Sequence, residues 1–319
     1  MSLAIFLNPG ADLPGAVALA QRADALGYDS VWVTHGVGRD ALLVLSAYAH
    51  AAPRVGLGTG VIPVYPRHPV LLAQEALTLA ESSRGRFRLG IGVSHAPSMA
   101  RGLGLDMGRP LEVMREYVTV LRVALTGTVE HEGARYRASW QSGLPRLPAP
   151  PPIYLAGLGP KMIELAGEIA DGVVLWLCAP AYIRDVAMPA LRRGRERAGK
   201  SMAGFAVIAA VPAALTVERA VGLALFKAEL TRYLSLPFYR KMLEQSGFAA
   251  DIAQFDRTPA PAAVSDRLAG ALGAIGDFRV IAEFVAAHRA AGVTLPALRP
   301  IAFPDAPHYV PTLEAASSL

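Results

Sequence analysis

The chain has 319 residues, 53% of them apolar, and a formal net charge of +5, a length that one α/β barrel can use undivided. No apolar run approaches the roughly 20 residues that span a bilayer, and the single cysteine, Cys178, excludes an intramolecular disulfide. The densest basic cluster, Arg192 to Arg197, includes Glu196 on an expected helix, so a solvated helix face is favoured over nucleic-acid binding.

Strand-like and helix-like runs alternate from the start. Residues 3–7 read as a strand without a basic segment before it, so no signal peptide is expected. A cytoplasmic protein is expected, with Cys178 a buried structural thiol in an apolar run. A helix over 15–26 closes at Gly27, a strand covers 30–34, and Asp40 is placed to cap a helix over 40–51. The strand at 55–59 carries Gly56, Gly58 and, just beyond, Gly60 on alternate positions. A strand side made of glycine lets something large approach the backbone, and with the glycine-ended strand that follows it reads as the floor of a cofactor pocket. A helix over 70–82 and a strand over 87–91 follow, the latter running into Gly92, Ser94 and His95.

A loop over 104–110 and a helix over 111–125 lead to a small hairpin over 128–138 around Glu132 and Gly133. A proline-rich connector, 144–152, is too short to divide domains. Strands over 153–156, 172–177 and 205–211 alternate with helices over 161–170 and 181–198. The section 216–277 reads as helical without a clear strand, an insertion before a last helix (276–291) and a closing strand (298–301). Some eight β/α units point to an α/β fold, a (β/α)8 TIM barrel forming one domain over 1–319 with the helical insertion late in the chain. An open doubly wound sheet is the alternative, but no G-x-G-x-x-G follows the first strand.

In such a barrel chemistry sits at the C-terminal strand ends. His35 directly follows a strand and is the candidate for proton exchange near neutral pH. Arg67 and His68 are expected to fix a loop or cap the next helix, whereas Ser94 and His95 are placed for ligand contact. Gly157, Leu158, Gly159, Pro160 and Lys161 join a strand to a helix. Backbone N–H groups there, a helix dipole and a lysine suit a phosphate. No metal-ligand spacing and no nucleophile elbow is present.

Five stretches together resemble the bacterial luciferase-like monooxygenase superfamily: Arg22-x-Asp24-x-x-Gly27-Tyr-Asp-Ser-Val-Trp-Val, Leu57-Gly-Thr-Gly-Val, Arg67-x-Pro69, Gly85-Arg-x-x-Leu-Gly-Ile-Gly, and Ala170-Asp-Gly-x-x-x-Trp176. The runs VIPVYPRHP and GIGVSH, with Leu236-Pro-Phe-Tyr-Arg-Lys-Met-Leu243, are similar to the branch that uses the deazaflavin coenzyme F420 rather than FMN. The resemblance implies a TIM barrel with the ring across the strand ends and a non-prolyl cis peptide behind it at Gly60–Val61. It implies an active-site role for His35, ring contacts from Thr59, Gly60, Val61, Gly92, Ser94 and His95, and phosphate contacts from Gly157 to Pro160, beside the Lys161 that the turn itself offers.

The resemblance also has departures. F420-dependent sugar-phosphate dehydrogenases carry a glutamate where this chain has His95 and a tryptophan where it has Arg39, so oxidation of glucose 6-phosphate is not implied. The acid usual before the histidine is Thr34. The leading expectation is hydride transfer between F420 and a small organic substrate, by a homodimer with no membrane or nucleic-acid partner. An FMN-dependent monooxygenase fed by a separate reductase is the alternative, and a non-catalytic flavin-binding protein is a third reading.

Overall fold

The computed structural model describes residues 2–36, 38–144, 147–303 and 309–319. Residues 145 and 146 of the proline-rich connector therefore lie outside the described residues. Eight parallel strands close on themselves: β1 (Ala4–Leu7), β2 (Ser30–Val33), β3 (Gly56–Thr59), β4 (Phe87–Gly92), β5 (Ile153–Ala156), β6 (Gly172–Trp176), β7 (Ala206–Leu215) and β8 (Leu295–Pro300). Each pairs with the next, and β8 returns to β1 through Ala4–Ala297 and Ile5–Leu298. This is the expected (β/α)8 barrel. Outward positions such as Ile5, Val31, Leu57 and Leu89 enter the main core beneath the helices, which is why the strands read as continuous apolar runs.

Inside the barrel Ala4, Phe6, Trp32, Tyr154, Val174, Ile208, Ala210, Leu295 and Ala297 form a second core. The glycine stripe belongs here, which corrects the expectation that a cofactor fills it. A Cβ on Gly58 would lie 2.4 Å from the Trp32 indole, and one on Gly60 would lie 2.1 Å from the Phe6 ring. The large group that approaches β3 is the barrel's own aromatic filling. Below it, Arg88 pairs with Asp29 and donates to Ser30 Oγ at 3.0 Å, so a paired charge closes the lower end of the lumen.

The surrounding helices include α1 (Leu13–Ala25), α2 (Ala41–Ala51), α3 (Pro69–Ser82), α4 (Pro110–Ala124), α5 (Pro160–Ile169) and α6 (Met188–Arg197). Asp40 caps α2 by accepting from the N–H groups of Leu42 and Leu43, and His68 caps α3 by accepting from Val70 N–H. The small hairpin forms from Thr128–Glu132 and Arg137–Gln141. Helices α5 and α6 approach backbone to backbone, because a Cβ on Gly194 would sit 2.0 Å from Glu164 O and one on Gly167 would sit 2.4 Å from Leu191 O. That contact holds the N-terminus of α5 at the barrel mouth.

Several motif residues act as tethers at the lower end. Asp24 is buried and accepts from the N–H groups of Arg54 (2.8 Å) and Val55 (2.6 Å), tying α1 to the entry of β3. Asp171 accepts from Ile153 N–H at 2.8 Å. Arg86 donates to the carbonyls of Ala49, Ala52 and Val55, closing the C-terminal end of α2.

The segment before β8 differs from expectation in two ways. Strand β7 runs through Pro212 to Leu215 instead of ending at Val211, and its extension pairs with a short strand, Ala274–Gly276. The proline and the brevity of the second run hid both from the sequence. Between them lie α7 (Arg219–Leu234), α8 (Pro237–Gln245), α9 (Ala249–Arg257) and α10 (Asp266–Leu272). Helix α11 (Phe278–Ala290) precedes β8, and α12 (Tyr309–Ala316), unforeseen in the sequence, follows it.

Candidate active site at the barrel mouth

His35 lies two residues past β2, mostly buried. Its Nδ1 accepts from Ala41 N–H at 3.2 Å and stands 4.0 Å from Asp40 Oδ2. That oxygen is bound by the Arg67 guanidinium, whose Nε reaches Glu75 Oε2 at 3.4 Å. Burial foremost, then Arg67, push the pKa of His35 below the ordinary histidine value, against the opposing pull of Asp40. Arg67 thus fixes the loop, as the sequence implied, through carboxylates of two helices.

At the neighbouring strand ends the expected cis peptide is present at Gly60–Val61. A Cβ on Gly92 would meet Val61 Cγ2 at 2.8 Å and the Ala156 Cβ at 3.0 Å, so β3, β4 and β5 interlock at this level. Thr59 is fully buried and its hydroxyl is committed: it donates to Gly90 O and accepts from Gly90 N–H, both at 2.8 Å. Its side chain joins β3 to β4, with its one proton spent inside the sheet. Thr59→Val is expected to lower the unfolding free energy by about 2–3 kcal/mol, because two buried backbone groups lose their partner. Urea denaturation reads this, and an unchanged midpoint would show that Gly90 is satisfied without the hydroxyl.

Ser94 adopts a left-handed φ of 57°, uncommon for a residue other than glycine. It turns the chain from β4 into a π-helical turn, Pro97–Gly102, that the sequence did not reveal. His95, between them, packs its ring 5.7 Å from that of Tyr239, and burial lowers its pKa. Tyr239 of α8 contacts Tyr233 of α7 at 4.9 Å, and Tyr233 contacts Trp176 at the end of β6 at 5.9 Å. The Arg299 guanidinium of β8 lies over the Trp176 ring at 5.2 Å and pairs with Glu229 of α7.

This aromatic wall spans the ends of β4, β6 and β8 and was not foreseen. Trp176 and Tyr239 lie inside motifs legible in the sequence, but nothing local to Tyr233, Glu229 or Arg299 signals that they meet. Burial raises the pKa of both tyrosines, so both phenols stay protonated. Cys178, also buried, has its thiol pushed up to about 12 by burial and is inert at neutral pH.

At the β5–α5 turn, the Gly157 N–H is bound to Val174 O and the Leu158 carbonyl accepts from the Tyr182 hydroxyl at 2.7 Å. The N–H groups of Leu158, Gly159 and Lys161 have no acceptor among the described residues, and Gly159 supplies no side-chain cap. A Cβ on Gly159 would meet nothing within 4 Å. Open space, three free donors and the positive end of a ten-residue helix fit a phosphate group. Pro160 starts α5 without an N–H to waste. The Lys161 side chain lies along an outer groove of about 360 Å³ with Leu111, Arg115 and Glu164, so what it brings to the turn is its backbone N–H. Among the described residues, no cluster of three or more histidine, cysteine or acidic side chains could hold a metal, and no helix is long and apolar enough to cross a membrane.

Three known proteins frame this arrangement. A Mycobacterium tuberculosis protein named as a putative coenzyme F420-dependent oxidoreductase is 29% identical over 87% of this chain and 88% of its own. The structure of the coenzyme F420-dependent tetrahydromethanopterin reductase from Methanopyrus kandleri superposes with a TM-score of 0.85 at 23% identity, covering 99% of this chain and 97% of that one. The oxygenating constituent of 3,6-diketocamphane monooxygenase from Pseudomonas putida, in complex with FMN, gives a TM-score of 0.74 at 18% identity, covering 99% and 97%. The luciferase-like monooxygenase family model matches residues 3–295, nearly the whole chain from before β1 into the first residue of β8, and the protein belongs to that family.

Proposed function

We propose that the protein is an oxidoreductase that moves a hydride between coenzyme F420 and a small organic substrate, with the barrel mouth as its active site. The observation that best supports this is the presence, at one end of one barrel, of a mostly buried histidine (His35) and of three N–H donors at the start of α5 that have no acceptor among the described residues. In this reading Leu158, Gly159 and Lys161 hold the phosphate end of the cofactor, with Gly157 and Pro160 shaping the turn. The backbone of Thr59, Gly60 and Val61 and the segment Gly92, Ser94 and His95 border the ring.

When bound, the deazaflavin supplies or accepts the hydride. The chain supplies position and dryness. Trp176, Tyr233 and Tyr239 offer the substrate an apolar aromatic wall, and Arg299, held by Glu229, adds a fixed cation beside it. His35 faces the reacting atoms as the group that handles a proton or hydrogen bond. We further propose a single domain over 1–319 that works as a cytoplasmic homodimer. Sedimentation equilibrium tests the last point, and a monomer at micromolar concentration rejects it.

A second reading, an FMN-dependent monooxygenase supplied by a separate reductase, is favoured by the fold's likeness to the FMN-bound monooxygenase. The two separate in one assay. Anaerobic mixtures of reduced F420 with small carbonyl compounds, and of oxidised F420 with small alcohols, are followed through F420 absorbance. Turnover in either supports the first reading. Product formation only with reduced FMN and oxygen puts the second in its place.

A further inference from the structure

At the start of α2 the N–H groups of Ala41, Leu42 and Leu43 have no partner inside the helix, and all three can be traced. Leu42 and Leu43 donate to Asp40 Oδ1 and Ala41 donates to His35 Nδ1, while Val44 makes the first helical bond, to the Asp40 carbonyl. A ring nitrogen that accepts an N–H has a lone pair there and carries no proton. Placing a proton on Nδ1 would set two donors against each other and orphan the Ala41 N–H at the positive end of a helix. In a neutral ring the single proton is therefore on Nε2, which has no protein partner among the described residues.

The charged groups about this ring come from three places. Asp40 from the cap of α2 is, among the described residues, the one carboxylate within 4.0 Å of Nδ1, and alone it would favour the imidazolium. Arg67, from the loop before α3, occupies the same carboxylate oxygen, and Glu75 of α3 stands behind Arg67. The guanidinium thus uses up the carboxylate charge that would otherwise protonate the histidine.

We propose that His35 is held at the barrel mouth as a neutral imidazole with its proton fixed on Nε2, a hydrogen-bond donor rather than a general base, and that Arg67 is the positioning residue that keeps it so. A base at this site would need a bare Nε2, hence a proton on Nδ1, and the Ala41 N–H opposes that tautomer. The donor role rests on the mouth being the active site. The tautomer and the part played by Arg67 do not, so they can fail or stand separately from the function proposed above.

The test needs no cofactor. The full chain is labelled with 15N-histidine, and long-range 1H–15N correlation spectra are recorded from acid to neutral pH, with His35→Gln assigning the resonances. The Nε2–H tautomer is expected at neutral pH, with a titration midpoint below the ordinary histidine value. Arg67→Met is expected to raise the midpoint by about one unit, comparable to the ordinary spread of histidine values in folded proteins. Arg67→Lys should restore much of the effect, and Asp40→Asn should move the midpoint the opposite way. Opposite shifts from the two partners are not produced by mere loosening of the loop. A proton on Nδ1 at neutral pH overturns the proposal, as does an imidazolium there or an Arg67→Met midpoint equal to that of the wild type. If Arg67→Met fails to fold, Asp40→Asn decides: a lowered midpoint supports the proposal and a raised or unchanged one overturns it.

Discussion

His35→Ala is expected to lower kcat by about 10²–10³-fold, the cost of losing one hydrogen-bond donor aimed at developing charge. Because the donor is most valuable in the transition state, kcat and kcat/KM should fall together while cofactor affinity stays near the wild-type value. Ala41 N–H loses its acceptor in this variant, so a modest loss of stability is expected alongside, and circular dichroism must show the barrel intact. The pH profile carries a second reading. Burial and Arg67 depress the pKa of His35, so the neutral ring persists to lower pH than in a free histidine. A donor keeps its Nε2–H in both charge states, so activity should show no acid limb at the His35 titration midpoint, whereas a general base would be lost there. His35→Gln, which retains an N–H donor, should recover part of the activity lost in His35→Ala. Full activity in His35→Ala would remove the histidine from the chemistry.

Gly58→Ala is expected to destabilise the protein by about 3 kcal/mol, at the upper end of the usual overpacking cost. The added methyl would fall 2.4 Å from the Trp32 ring, and that ring has nowhere to go. Phe6 stacks on it at 5.7 Å, Tyr154 meets it edge-on at 5.7 Å, and its indole N–H donates to Ser30 Oγ at 2.9 Å. A smaller partner should relieve the clash, so Trp32→Leu, costly alone, is expected to recover part of the loss in the double variant. A coupling of about 1–3 kcal/mol is the scale for residues in direct contact. Additive single effects would mean that β3 yields by moving its backbone, and that the glycine is not there for the tryptophan.

The barrel was legible because its evidence is local. Short apolar strands alternate with helices whose ends are written in single residues such as Asp40 and His68, and both caps form. The family stretches were equally legible, yet most of their polar residues prove to be tethers. Asp24, Asp171 and Arg86 bind backbone groups at the lower strand ends, where a barrel concentrates stability rather than chemistry. Spacing alone could not say what lies against the glycines of β3: the pattern marks close approach, and only the closed barrel identifies Trp32 as the neighbour. Nor could it assemble the aromatic wall. His95 follows β4, Trp176 and Arg299 lie in β6 and β8, and Tyr233 and Tyr239 belong to two helices of the late segment, so they meet only when the barrel closes. The extension of β7 was lost for a different reason, since Pro212 lacks a donor and reads as a stop, although the strand tolerates it.

The most direct measurement is a pair of fluorescence titrations of the purified protein, one with F420 and one with FMN, each repeated on Gly159→Val. F420 is expected to bind at least about tenfold tighter than FMN, a difference of some 1.4 kcal/mol, and Gly159→Val should weaken it by filling the open space at the start of α5. Tighter binding of FMN, or F420 binding unaffected by Gly159→Val, would contradict the placement of a deazaflavin across this barrel mouth.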